Sequence, residues 1–146
     1  MVSATNLQST ALTQAIANKN IDSALTLIEE SKKSNSLINI NEFDESEENF
    51  TPLMLACLSQ LYDVVTVLLD HPSVEVNLQN KNGITALMLA AGSGNTAIVA
   101  KLLEHKSIDT SLKDNENYTA LWWGENSKND QVVKLIRGSS SWCGLI

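Results

Sequence analysis

His71 and His105 are the side chains best suited to hold a metal ion or pass a proton, because imidazole ligates transition metals and titrates near neutral pH. They lie 34 residues apart (105 − 71), the first after Leu68-Leu69-Asp70 and the second after Leu102-Leu103-Glu104, so each holds the same place in a recurring pattern. That place fits a loop residue near a helix C-terminus, where the dipole favours a partial positive charge, better than it fits a metal or catalytic pair. Two cysteines, Cys57 and Cys143, make no disulfide framework. No Cys/His ligand cluster, glycine-rich phosphate loop or nucleophile elbow is present. The residues predict no enzyme, no catalytic residue, no metal and no cofactor.

Carboxylates are the other charged resource. Glu42, Asp44, Glu45, Glu47 and Glu48 form an acidic run that either steers a basic peptide or protein or is a solvated, mobile loop. The formal net charge of −7 and pI near 4.7 disfavour nucleic acid and anionic lipid as partners. No apolar run approaches the roughly 20 residues needed to cross a bilayer, and Met1 to Thr10 read as no leader. A reducing, cytoplasmic setting is expected.

The elements that would position these groups repeat. Thr51-Pro52-Leu53-Met54-Leu55-Ala56-Cys57, Thr85-Ala86-Leu87-Met88-Leu89-Ala90-Ala91 and Thr119-Ala120-Leu121-Trp122-Trp123-Gly124-Glu125 stand at steps of 34 residues (85 − 51 and 119 − 85). Self-similarity at such a period means a stacked array of one supersecondary unit. Thr10 to Ala17 is a weaker copy, and its longer step to Thr51 places extra residues within Glu29 to Asn49.

Each unit predicts two short helices. In the third, Thr85 caps a first helix too short to survive alone, Gly94 ends it in a left-handed conformation, and Ile98, Val99, Leu102 and Leu103 make the buried stripe of a second. Val64, Val65, Leu68 and Leu69 repeat that stripe, as do Val132, Val133 and Ile136. Ala15, Ala56, Ala90 and Gly124 share one position where helices should approach closely. Asn82-Gly83 signals a tight turn between units.

A turn, a Thr-capped helix and a second helix with paired aliphatics resemble the ankyrin repeat, on Gly83-Ile84-Thr85-Ala86-Leu87-Met88, Ala90-Ala91-Gly92-Ser93-Gly94-Asn95 and Thr51-Pro52-Leu53-Met54. The resemblance implies an all-α, ankyrin-repeat solenoid of stacked helix-turn-helix units joined by inter-repeat turns. It implies a single domain, 1–138, with units near 7–40, 41–76, 77–110 and 111–137, and a tail, 139–146. The chain departs from the family pattern at Met54, Met88 and Trp122, which replace a His, so apolar packing should replace its network. It departs also at Gln60 and Lys128, where Gly94 stands in the third unit.

The resemblance further implies a binding module or adaptor holding another protein or peptide on a concave face of turn tips and first helices, and a monomer is expected. Its variable positions map onto Phe50, Ile84 and Tyr118, before each capping Thr, which either anchor a partner or pack on neighbouring turns. They map also onto Leu58, and onto small polar residues such as Gly92 and Ser93 that leave room in a groove. Lys81, Asn82, Asn115 and Glu116 fall at turn tips. Trp122 is expected to reach the binding face, and Trp123 to seal the end of the core. Cys143-Gly144-Leu145-Ile146 raises a second reading, a lipid-anchored adaptor prenylated at Cys143 and acting at a eukaryotic membrane, although Gly144 and Ile146 are poor matches to such a box. Folding of Leu145 and Ile146 over Trp123 is the alternative for that tail.

Overall fold

The computed structural model describes residues 4–142, with side chains described from 11 to 139. Among them are eight helices: α1 (Ala4–Ala17), α2 (Ile21–Ser31), α3 (Pro52–Leu58), α4 (Tyr62–Leu69), α5 (Ala86–Gly92), α6 (Thr96–Leu103), α7 (Ala120–Asn126) and α8 (Asp130–Trp142). They pair as first and second helices of four units. The chain divides into two compact parts, Met1–Glu75 and Val76–Ile146, a break that falls between the second and third units.

The short first helices are set by their ends. Thr51, Thr85 and Thr119 adopt extended backbone, and each hydroxyl accepts the N–H of the residue three ahead. Such a cap contributes about 1 kcal/mol, which matters in a helix of 7 residues. In α3 and α5 the box closes reciprocally: Met54 Sδ accepts the Thr51 N–H at 3.5 Å and Met88 Sδ accepts the Thr85 N–H at 3.4 Å. The methionines are therefore not merely apolar substitutes; their sulfurs take over an acceptor's work. In the first unit α1 begins at Ala4 and runs through Thr10, so the weak copy of the motif starts in mid-helix.

All four first helices end alike. Lys19, Gln60, Gly94 and Lys128 have φ between 56° and 68°. After three of them the next backbone N–H returns to the carbonyl of Ala15, Ala56 or Ala90, the pattern of a left-handed helix stop. Gln60 and Lys128 retain the conformation at a cost of about 1 kcal/mol each.

In Met1–Glu75, α1 packs on α2 and α3, and α2 packs on α4. Leu12, Ile16, Ile28, Val64, Val65 and Leu68 are fully buried there. In Val76–Ile146, α5 packs on α7 and α6 on α8, around Leu87, Met88, Ile98, Val99, Leu102, Val132 and Ile136. Gly124 shows why small residues recur at its position: a Cβ there would lie 3.1 Å from Val132 Cγ1 and 3.5 Å from Ile136 Cδ1.

The inter-repeat turns carry the site. Each closes by a pair of bonds: the backbone N–H of Asp44, Asn80 or Asp114 donates to the carbonyl of Phe50, Ile84 or Tyr118, whose own N–H donates back to the side chain of the first residue. The Oδ1 atoms of Asp44, Asn80 and Asp114 each accept two backbone N–H groups of the turn, one of them from Phe50, Ile84 or Tyr118 at 2.8–2.9 Å. Asn49, Gly83 and Asn117 supply its left-handed residue, with φ of 54°, 75° and 68°. Asn tolerates that region through its short polar side chain. The first turn holds two more residues between closing positions than the others (50 − 44 against 84 − 80), and they lie within the acidic run.

Candidate interaction surface

Physical burial separates the expected turn-tip residues into classes. Phe50, Ile84 and Tyr118 are half-buried, with backbones fixed by the turn closures just described. Each leaves part of its side chain open and rests the remainder on the protein. Leu58 is 46 % exposed at the end of α3. Lys81, Asn115 and Glu116 are exposed, but Asn115 is partly committed: its Nδ2 donates to the Lys81 carbonyl at 2.8 Å and its backbone N–H to the Asn82 carbonyl at 2.9 Å. Asn115 thus ties the Asp114–Tyr118 turn to the Asn80–Ile84 turn.

In the last unit one carboxylate holds the Tyr118 backbone and the Trp123 ring, and Trp122 packs against both aromatics. Asp114 is buried; its Oδ1 accepts the N–H groups of Glu116 and Tyr118, and its Oδ2 accepts the indole N–H of Trp123 at 3.0 Å. Tyr118 and Trp122 stack with centroids 3.8 Å apart and planes 15° from parallel, while Trp122 and Trp123 meet edge to face at 6.2 Å and 80°. Trp122 is 37 % exposed, whereas Met54 and Met88 at its position are 1 % exposed. An indole N–H only donates, so Trp122 cannot accept the capping residue's N–H as the methionine sulfurs do, and α7 carries the Thr119 cap alone.

Trp123 corrects one expectation. Gly92 leaves no empty groove, because the Trp123 ring occupies the space: a Cβ on Gly92 would come 2.7 Å from Trp123 Cε3. The ring is pinned between that glycine and Asp114, a role more specific than sealing a core. At the equivalent turn position of the third unit, Asn80 Nδ2 is buried with no hydrogen-bond partner among the described residues; Leu89, at the repeat place of Trp123, offers no acceptor.

The acidic run is hydrogen-bonded through Asp44 and Asn49. Asp44 Oδ1 accepts from the N–H and Oγ of Ser46 and the N–H of Phe50, and Asn49 Nδ2 donates to the Asp44 carbonyl at 2.8 Å. Glu45, Glu47 and Glu48 remain exposed.

His71 lies in the loop after α4, as its place in the repeat predicts, but it is not a solvated loop residue. It is buried, its Nδ1 accepts the Ser73 N–H at 3.1 Å, and its Nε2 lies 3.0 Å from Ser31 Oγ. The backbone N–H at Nδ1 requires that nitrogen to be unprotonated, so in the neutral ring Nε2 carries the hydrogen and donates to Ser31. Desolvation by burial, then the nearby Lys32, pushes the His71 pKa below 6.5, against the pull of Glu29. The partial positive charge expected from the helix dipole is therefore opposed. Ser31 in turn donates to the Ile28 carbonyl at 2.5 Å. In this arrangement the imidazole has no acceptor lone pair toward the serine, so the pair ties α2 to the loop after α4 and does not activate a nucleophile. His105 Nδ1 likewise accepts the Ser107 N–H, at 3.2 Å.

Among the described residues no group of three or more His, Cys, Asp or Glu side chains could hold a metal, and no helix is long and apolar enough to cross a membrane. Cys57 is buried and burial pushes its thiol pKa up. Cys143, Leu145 and Ile146 lie outside the described residues. A cavity of about 470 Å³ opens beside Ile108, Ser111, Thr119, Leu121 and Ser139.

Comparison with known families decides the fold's lineage. A family model described as ankyrin repeats, in three copies, matches residues 2–80 and 72–141. The chain belongs to the ankyrin-repeat family. It is an all-α repeat protein, and ankyrin repeats are in general protein–protein interaction modules, typically without catalysis. No curated protein matches it. Within an ankyrin repeat the Tyr118–Trp122 stack and the Asp114–Trp123 bond are particular to this chain's last unit, since Ile84, Met88 and Leu89 hold the corresponding places in the third. Sequence reading found the three aromatics but not their common anchor; the anchor is visible only as an acid at the turn position shared by Asp44 and Asn80.

Proposed function

We propose that this ankyrin-repeat chain is an adaptor that holds another protein or peptide through its turn tips and first helices and performs no chemistry of its own. Phe50 and Leu58 in the first part, and Lys81, Ile84, Asn115, Glu116, Tyr118 and Trp122 in the second, are the contact residues of this reading. The observation that carries it is the exposed Trp122 ring stacked on Tyr118. Rigid, half-open aromatics bury much partner surface at low entropic cost, which is why they dominate binding energy at interfaces.

Charge supports a basic partner. Met1–Glu75 holds 3 Lys and Arg against 11 Asp and Glu, while the remainder holds 7 against 6, so the acidity resides almost wholly in the first part. A field of that sign speeds encounter with cationic proteins and is screened by salt. The setting proposed is cytoplasmic, with the chain acting as a monomer.

Affinity capture with mass spectrometry tests the reading. The native chain should retain a partner that Phe50→Ala, Ile84→Ala and Tyr118→Ala each weaken, while each variant loses no more than about 1 kcal/mol of stability. If all three unfold the repeats, these residues are core and the surface is misplaced.

A further inference from the structure

The aromatic cluster of the last unit admits a more definite reading, which rests on the interaction function just proposed. Its geometry is built, not incidental. Asp114 fixes the Tyr118 backbone through Oδ1 and the Trp123 ring through Oδ2, and the Tyr118 ring lies flat on Trp122. Trp122 emerges from the first turn of α7, with its backbone N–H held by the capping Thr119. The product is a large indole ring held in one orientation with 37 % of its surface open. Leaving so much of a tryptophan in water forfeits burial that Met54 and Met88 obtain at the same repeat position.

We propose that the Tyr118–Trp122 pair is a stacking shelf for an arginine side chain of a partner protein. Two general properties and one observation favour that occupant. A planar guanidinium matches a flat ring face and is weakly hydrated, so it stacks where a compact, strongly hydrated ammonium does not. Ring faces are the negative part of the aromatic quadrupole and attract cations. Along the chain the pair is flanked by Glu116, exposed two residues before Tyr118, and by Glu125, three residues after Trp122. Glu125 is met by Arg137 at 2.7 Å, which leaves Glu116 as the exposed carboxylate on the turn that carries the stack. An anionic partner would meet the Glu116 carboxylate.

The test uses the full chain labelled with ¹⁵N, its three tryptophan indole signals assigned by single replacement, and three capped peptides of glycine alternating with arginine, lysine or citrulline. Citrulline keeps the planar shape of arginine and removes the charge. The Arg peptide should move the Trp122 indole and the Tyr118 ring signals, and should bind about fivefold or more tighter than the Lys peptide. The citrulline peptide should have no measurable effect. Trp122→Leu, with an unchanged melting temperature, should abolish the response. Equal responses to Arg and Lys peptides confined to residues 42–48 would overturn the inference, as would an unaltered titration of Trp122→Leu. A partner captured equally well by native chain and Trp122→Leu would also overturn it, while leaving the adaptor function standing.

Discussion

Trp123 donates its indole N–H to Oδ2 of Asp114 at 3.0 Å, across nine residues of chain, and the other oxygen of the same carboxylate holds the turn before α7. One buried acid thus sets both the turn and the ring beneath it. Asp114→Asn keeps an acceptor for the turn but presents an amide donor to the indole donor, and should cost about 1–3 kcal/mol. Trp123→Phe removes the donor and should cost a similar amount. In urea unfolding the pair should show a coupling energy on the order of 1–2 kcal/mol in a double-mutant cycle; additive losses would mean the bond contributes nothing.

Two glycines with nearly the same backbone should respond differently to alanine. Gly94 has φ of 68° but its nearest neighbour to a new Cβ is 3.6 Å away, so Gly94→Ala should cost only the left-handed penalty, about 1 kcal/mol. Gly83 has φ of 75°, and a Cβ there would lie 2.8–2.9 Å from Asn115 and the Asp114 backbone. Gly83→Ala should therefore cost on the order of 3 kcal/mol. Equal melting temperatures for the two variants would contradict the close approach of the Asn80–Ile84 and Asp114–Tyr118 turns.

His71 predicts an acid-sensitive first part. Its folded pKa is lowered below 6.5 by burial first and by Lys32 second. A histidine held neutral stabilises the fold fully above its unfolded pKa, and that contribution falls as pH drops through 6.5 toward the folded value. Denaturant midpoints should decrease from pH 7.5 to pH 5.5, and His71→Gln should flatten the dependence in this interval. A native midpoint that rises on acidification would reverse the assignment.

Cys57 should be chemically silent in the folded chain, since burial disfavours the thiolate that attacks disulfide reagents. With Cys143 replaced by serine, labelling by an aromatic disulfide should proceed no faster than unfolding exposes the side chain. Rapid labelling at pH 8 without denaturant would show that α3 opens locally.

Much of the fold is legible because it is local and repeated. Thr51, Thr85 and Thr119 announce helix starts by chemistry that involves three following residues, and the step of 34 residues aligns turns, caps and stripes without any knowledge of contacts. Gln60 and Lys128 are legible only against Gly94, whose type names the left-handed conformation that they adopt without its advantage. The candidate surface is half legible. Phe50, Ile84 and Tyr118 could be placed on turns by register, but their degree of burial could not.

The repeat follows from the chain's local chemistry: four helix pairs, the capping residues and the left-handed stops are each set by forces acting within a few residues. Only the tertiary structure decided that Met54 and Met88 accept hydrogen bonds, that the Trp123 ring fills the space over Gly92, that Trp122 stacks outward on Tyr118, and that His71 is held neutral against Ser31. These outcomes depend on which groups from other units occupy the neighbouring space. A periodic pattern gives every unit the same backbone frame, but the side chain that meets a given atom differs from unit to unit, and no period encodes it.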